Sequence, residues 1–208
     1  LAHVAFPIRK MKSIVLKTHG CIVWGGALNL APADDKIIAV ERPLEIDAES
    51  QLLASIMAKK HSVSSTHILI DIPIGRDAKV KNSIEALKLK KEFEKISKKL
   101  KKHIFVMFTD GSQPIGNGIG PALEARDVLW LLKRDPRKPI GLEKKCLAMC
   151  ANIFNMIGLK DSYKKSLEIL NSGKAYSKMV EIIKAQGGKE IAAEDIKIGK
   201  LSYDVLSI

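Results

Sequence analysis

Two short, unbroken apolar runs separated by one long polar helix constrain this chain more than any other feature. His67-Ile-Leu-Ile-Asp-Ile72 and His103-Ile-Phe-Val-Met-Phe108 are rich in β-branched and aromatic residues and show no alternation. That is the pattern of strands covered on both faces. Between them, over about residues 82–101, Ile84, Leu87, Phe93, Ile96 and Leu100 recur at helical spacing on one side. A strand, a crossover helix and a second strand form the unit that lays two strands parallel in one sheet. Pro73-Ile-Gly75 closes the first strand, and a Gly-rich loop from Asp110 to Gly120 follows the second.

The flanking segments extend this layout. Residues 7–17 have helical spacing, with Ile8, Met11, Ile14 and Val15 on one face and Pro7 suited to the first turn. Cys21-Ile-Val-Trp24, bounded by Gly20 and Gly25-Gly26, reads as a buried strand. Lys36-Ile-Ile-Ala-Val-Glu41, stopped by Pro43, reads as a second short strand. Asp47 stands at the start of a helix that runs to about His61 on Leu52, Leu53, Ile56 and Met57. Further helices are predicted at about 121–133, 142–157, 162–172 and 174–186, the last ended by Gly187-Gly188. The fold class is therefore α/β, with a largely parallel sheet and flanking helices. From about residue 190 the character changes, and Asp195–Gly199 and Ser202–Ile208 look like the opening strands of another module. With Leu1 first and a β-like run last, the 208 residues read as a piece of a longer protein.

Composition narrows the function classes. The chain is 46% hydrophobic and 28% charged, which excludes a disordered chain. It has no stretch of about 18 uncharged apolar residues that would predict a membrane span. The net charge is +12, but it comes from 29 Lys and only 6 Arg, and Arg is the preferred residue for bidentate phosphate and base-edge contacts. Residues 88–102 alone carry eight Lys against Glu92 and Glu94, a net of +6. The first reading of that helix is a solvated outer face. A non-catalytic basic module binding nucleic acid is the alternative, weakened because no aromatic stacking partners stand between the lysines. Cys21, Cys146 and Cys150 have no partner pair of Cys or His nearby, so buried free thiols of a cytoplasmic protein are expected, and no metal site.

Ligands of an α/β sheet sit beyond the carboxyl ends of the strands, so the loops there are where chemistry is sought. The Gly116-x-Gly118-x-Gly120 run is not a dinucleotide fingerprint. Its glycines either let a helix N-terminus approach a ligand or only turn the chain. Ser55 and Lys59 lie four residues apart on one helical face, so both can reach one spot. The plain alternative is an exposed helical pair, and for Asp47 it is a helix N-cap. No Ser-His-Asp set, zinc site or Gly-x-x-x-x-Gly-Lys loop is evident.

Longer strings carry a resemblance. They are Lys17–Asp35, Glu41-Arg-Pro-Leu-Glu-Ile-Asp47, Leu53-Ala-Ser-Ile-Met-Ala-Lys-Lys60, Ile70-Asp-Ile-Pro-Ile-Gly75, Gln113-Pro-Ile-Gly116, Gly120-Pro-Ala-Leu-Glu-Ala-Arg126, Ser172-Gly-Lys-Ala175 and Ala185-Gln-Gly-Gly188. In one register over nearly the whole chain, they resemble the thymidine phosphorylase (pyrimidine-nucleoside phosphorylase) family. The resemblance is to the branch that holds the archaeal AMP phosphorylases and bacterial proteins named for thymidine phosphorylase.

It implies a nucleoside phosphorylase/phosphoribosyltransferase type of catalytic domain over residues 1–188, with 189–208 as linker and start of a C-terminal β-rich domain. It implies a pentosyltransferase that cleaves thymidine with phosphate to thymine and 2-deoxyribose 1-phosphate, or AMP to adenine and ribose 1,5-bisphosphate. Inorganic phosphate is then the co-substrate, with no other cofactor, and the full-length protein is expected to be a homo-oligomer. Asp47 matches the branch's proton donor, a role that needs a carboxyl pKa raised toward working pH. Ser55 and Lys79 match its nucleotide-binding positions. Compared with the thymidine phosphorylases proper, Ser55 and Lys59 match residues that contact the pyrimidine, and Arg42 lies near the Arg contact across a gap. The family's phosphate-binding signature lies upstream of this segment, so the segment alone is expected not to catalyse the reaction.

Overall fold

The two apolar runs pair. In the computed structural model, which describes residues 2–24, 31–41, 43–44, 49–196 and 199, β1 (His67–Ile74) and β2 (His103–Asp110) lie side by side as parallel strands, His67 opposite His103 and Ile74 opposite Asp110. The crossover is α4 (Ser83–Lys99). Its start is fixed locally. The Asn82 side chain accepts from the N–H groups of Ile84 and Glu85, both at 3.0 Å, and Glu85 in return accepts from the Lys81 N–H at 2.9 Å. This reciprocal cap serves amides that the first turn leaves without a partner. Ahead of the sheet come α1 (Ile8–Thr18), α2 (Pro32–Glu41) and α3 (Glu49–Ser62). After it come α5 (Pro121–Leu132), α6 (Ile140–Met156), α7 (Ser162–Asn171), α8 (Lys174–Ala185) and a 3-10 turn at Ala193–Asp195. The architecture is thus mixed α/β, with a parallel sheet of two strands among the described residues.

The main core forms where β1 meets α3 and α4. Ile68, Ile70 and Ile72, on one face of β1, pack with Leu53 and Met57 of α3, Ala86, Leu89 and Phe93 of α4, and Val106 of β2. A second core joins α5, α6 and α7 through Leu131, Leu147 and Leu170. The N-terminal segment, whose helix α1 packs on α8, is also tied on by one side chain. Gln186, at the end of α8 and buried, accepts from the Ile22 N–H at 2.7 Å and donates to the carbonyls of Ile22 at 2.8 Å and His3 at 2.7 Å. Gln186 thereby does for residues 3 and 22 what a neighbouring strand would do: it pairs their backbone polar groups. At the other end, the Trp130 ring lies between the guanidinium groups of Arg126 and Arg137, at 4.5 and 4.6 Å. Glu194 bonds both Trp130 and Arg137, which holds the final turn on α5.

Several expectations are corrected. Lys36–Glu41 is helical, within α2. Pro32 opens that helix and Asp34 and Asp35 occupy its first turn, where negative charge is favoured; a short apolar run has no period that separates strand from helix. Cys21–Trp24 forms no strand and joins no ladder among the described residues, and Trp24 is exposed. β1 alternates between buried and half-buried residues rather than being covered on both faces. Only Val106 of β2 is buried, because β2 has no second neighbour among the described residues. On α4 the buried stripe is Ala86, Leu89, Phe93 and Ser97, two positions off the expected one at its start, so Ile84 and Leu87 face solvent. Cys21 and Cys146 are half-buried and Cys150 is exposed; all three are free thiols. The expected strands at 195–199 and 202–208 fall largely outside the described residues. Among those described, no helix is long and apolar enough to cross a membrane.

The shift of the α4 stripe is directly testable. Phe93, with no exposure, should lose about 3–5 kcal/mol of unfolding free energy on truncation to Ala. Ile84, 82% exposed, should change by no more than about 0.5 kcal/mol. Urea denaturation of the two variants would check the pair, and equal losses would restore the sequence-based stripe.

Candidate functional site

The parallel pairing brings the carboxyl ends of β1 and β2 to the same edge, and two glycines let the following loops pass. A Cβ on Gly75 would lie 2.4 Å from the backbone carbon of Gly111, and one on Gly111 would lie 2.9 Å from Pro73 Cβ. The Gly111 N–H donates to the Ile74 carbonyl at 2.8 Å, and the Gly75 N–H donates to the Val80 carbonyl at 3.1 Å. The loop after β1 therefore doubles back, with Val80 bridged to Ile74 and Lys79 carried beside it. Lys79 lines a cavity of about 200 Å³ with Glu49 and Leu52 of α3 and Glu85, Lys88 and Leu89 of α4. Lys88 forms an ion pair with Glu49 across this cavity at 2.7 Å.

The loop after β2 is shaped by its own glycines and by α5. Gly116 and Gly120 both take φ +99°, which L side chains rarely adopt. A Cβ on Gly118 would lie 2.5 Å from Leu123 Cβ. Buried Asp127 accepts from the N–H groups of Asn117 and Gly118 at 2.7 and 2.8 Å, and Glu124 accepts from the Gly120 N–H at 3.0 Å. The turn itself thus requires the glycines. Beside the loop lies a cleft of about 560 Å³ lined by Thr109, Asp110, Gln113, Asn117 and Lys145, among others. Lys145, from α6, is ion-paired with Asp71 and donates to the Thr109 hydroxyl at 3.2 Å, and that hydroxyl donates to Asp71 at 2.7 Å. Sequence reasoning passed over this trio, since a lone Lys within a helix carries no signal of what it faces.

The densest polar contact is on α3. Gln51, Ser55 and Lys59 follow one another at four-residue spacing and share a face. Opposite them stands Asp34 of α2, 6% exposed. Its Oδ1 accepts from Gln51 at 3.0 Å, while Oδ2 accepts from the Ser55 hydroxyl at 2.8 Å and pairs with Lys59 Nζ at 2.8 Å. Lys59 also donates to Ser55 Oγ at 3.3 Å. Burial acts to raise the Asp34 carboxyl pKa, but hydrogen bonds from Lys59, Ser55 and Gln51 and the Lys59 charge outweigh it, so the group is held below its ordinary 3.8. Ser55 and Lys59 are therefore not an exposed helical pair; they are held by a buried anion. Asp34 escaped the sequence reading because its strand assignment for the neighbouring residues hid the helix that aims it.

Of the residues singled out from sequence, the structure brings Ser55 and Lys59 together. It places Lys79 in a different cavity, for which Ser55 and Lys59 are not among the described lining residues. Arg42 and Asp47 lie outside the described residues. Among the described residues no group of three His, Cys, Asp or Glu could hold a metal ion.

Fold and site together define a segment of a mixed α/β protein with loops gathered at one sheet edge and a Ser–Lys pair organised by a buried carboxylate. No family model matches the chain. It is 44% identical over 208 residues, 99% of its length, to the "Putative thymidine phosphorylase" of Albidiferax ferrireducens. It is 43% identical, over its whole length, to AMP phosphorylase 1 of Archaeoglobus fulgidus and to the AMP phosphorylase of Methanocaldococcus jannaschii. The chain spans 40–42% of the length of these relatives. These relatives are of the two groups that the long matching strings resemble.

The depressed Asp34 pKa carries a sign. A carboxyl whose folded pKa lies below its unfolded value stabilises the fold above the unfolded pKa, and that contribution is lost as pH falls through the folded pKa. The stability gap between wild type and Asp34→Asn should be constant above about pH 5 and shrink as the pH drops below 3.8. Chemical denaturation at a series of pH values would show it; a gap that widens on acidification would contradict the ionised cluster.

Proposed function

We propose that this segment is part of the catalytic domain of a pentosyltransferase that cleaves thymidine with inorganic phosphate, giving thymine and 2-deoxyribose 1-phosphate. A phosphate oxygen forms the new bond to C1′ of the sugar. The C1′–N bond breaks, and its electron pair leaves with the base. The base must be met by a proton or by hydrogen bonds as that charge develops. In this reading Asp47 supplies the proton, Ser55 and Lys59 hold the base, and Lys79 and Arg42 bind the rest of the substrate. Phosphate is the only co-substrate, and the phosphate loop lies in parts of the full-length protein outside this segment. Residues 1–188 are the catalytic-domain part, of the nucleoside phosphorylase/phosphoribosyltransferase type. Residues 189–208 are the linker into a C-terminal β-rich domain, and the full-length protein is a homo-oligomer.

One observation carries the reading above the others: the Ser55–Lys59 pair, in a chain similar to these phosphorylases, is pre-oriented by a buried anion. Positioned donors need no reorganisation at the moment of reaction. A second reading, phosphorolysis of AMP to adenine and ribose 1,5-bisphosphate, is favoured by the near-equal identity to AMP phosphorylases, 43% against 44%. A basic nucleic-acid-binding module is less favoured, because Lys88, Lys90 and Lys95 on α4 are each ion-paired to a Glu.

Incubating the full-length protein with phosphate and a panel of thymidine, uridine, cytidine, adenosine, AMP and CMP should release thymine. Release of adenine from AMP alone selects the second reading, and no release from any member refutes both. Asp47→Asn should lower turnover by roughly 10²–10⁴; unchanged turnover removes the proton-donor role. Lys79→Ala should mainly raise KM, so a loss confined to thermal stability would make Lys79 structural.

A further inference from the structure

The Asp34 cluster has a directionality that can be read from its donors and acceptors. A serine hydroxyl has one proton and two lone pairs, and a lysine ammonium has three N–H groups. The Ser55 proton is spent on Asp34 Oδ2, at 2.8 Å, and one of its lone pairs on Lys59 Nζ, at 3.3 Å. Two of the Lys59 N–H groups point to Asp34 and Ser55. What remains is one lone pair on Ser55 and one N–H on Lys59, on side chains that both keep some exposure. An ionised carboxylate accepts only, so Asp34 cannot hand a proton back to Ser55. Gln51 grips the other oxygen at 3.0 Å, which keeps the carboxylate from turning.

We propose that Asp34 is a positioning residue that fixes the polarity of this pair, so that Ser55 can only accept an N–H from the substrate while Lys59 donates to a neighbouring lone pair. The proposal rests on the reading of Ser55 and Lys59 as base contacts. The matching ligand edge has an N–H beside an acceptor atom, as in the N3–H and adjoining carbonyl of thymine or uracil. The amino N–H and N1 of adenine present the same edge. The pair therefore sets the orientation of the base rather than choosing between these two classes. It rejects any base whose N–H is replaced. With alanine in place of Asp34, the Ser55 hydroxyl proton loses its acceptor and is free to turn outward, where it would meet the substrate N–H donor to donor; asparagine would keep the polarity, because Lys59 holds the amide oxygen where Oδ2 now lies.

The test uses the full-length protein with thymidine and N3-methylthymidine, or, if only AMP turns over, AMP and its N6,N6-dimethyl form. A site built to accept an N–H rejects the analogue lacking it by roughly 10⁴ or more in kcat/KM, which is the ratio expected for wild type. That ratio should fall at least about tenfold in both Ser55→Ala and Asp34→Ala, since the acceptor is removed in one and its direction is released in the other. Asp34→Ala should act chiefly on KM. A purely structural Asp34 would lower activity on both substrates alike and leave the ratio where it was.

An unchanged ratio in Ser55→Ala overturns the assigned polarity, and an unchanged ratio in folded Asp34→Ala overturns the role of Asp34. Should Asp34→Ala fail to give a cooperative thermal melt, the Ser55→Ala ratio decides alone. Should wild type turn over no substrate, the phosphorylase reading fails separately. Calorimetric binding of thymine against N3-methylthymine, to wild type and Ser55→Ala, then still tests the polarity: a preference for thymine that vanishes in Ser55→Ala supports it, and any other result overturns it.

Discussion

The parallel pairing of β1 with β2 is the constraint on which the rest of the molecule depends. Parallel strands cannot be joined by a tight turn, so α4 must cross over the sheet, and its Phe93 stripe covers Ile68, Ile70 and Ile72. Parallel direction also sends both strand ends to one edge. There the backbones of Gly75 and Gly111 come so close that neither could carry a side chain without displacement. That contact folds the Lys79 loop back over β1 and sets the Gly-rich loop beside it. The geometry of the loops at this edge therefore follows from strand direction and two glycines.

A buried charge would ordinarily be a liability, and Asp34 shows how it is sustained. Desolvation acts against the ionised carboxylate, yet three donors from one helix face, one of them a full positive charge, more than offset it. The arrangement has a cost in specificity of sequence: Gln51, Ser55 and Lys59 must recur at one-turn spacing, and α2 must be a helix that aims Asp34 at them. In return, a serine and a lysine on an otherwise ordinary helix are held in one orientation. The Lys145–Asp71–Thr109 trio repeats the same principle at the end of the sheet, where an ammonium from α6 meets a carboxylate from β1.

Much of the fold was legible in the sequence. The βαβ unit, α3 and the four helices after residue 120 are long or strongly patterned, and local pattern decides such elements. The failures have distinct causes. Ile37-Ile38-Ala39-Val40 is too short for its period to show, and its helical state is set by Pro32 and the acidic first turn together with the contact to α3. Cys21–Trp24 has strand composition, but a strand requires a neighbour, and here its backbone is met by the side chain of Gln186, 164 residues away from Ile22. On α4 the apolar residues Ile84 and Leu87 match a helical stripe as well as Ala86 and Leu89 do; only the sheet beneath determines which is covered.

The candidate site divides in the same way. Ser55 and Lys59 could be paired from spacing alone, because one turn of helix places them together whatever surrounds them. That the turn needs its glycines is shown by backbone approach at Gly118 and by positive φ at Gly116 and Gly120. Asp34 could not be found from sequence, since nothing local distinguishes it from Asp35; only the packing of α2 against α3 makes one a buried acceptor and leaves its neighbour outside that network. By itself, then, the sequence determined the helices other than α2, the parallel strand pair and the likeness to these phosphorylases, because these rest on local periodicity and on long matching strings. The tertiary structure alone decided which carboxylate meets which donors, because burial and hydrogen-bond direction depend on residues far apart in the chain.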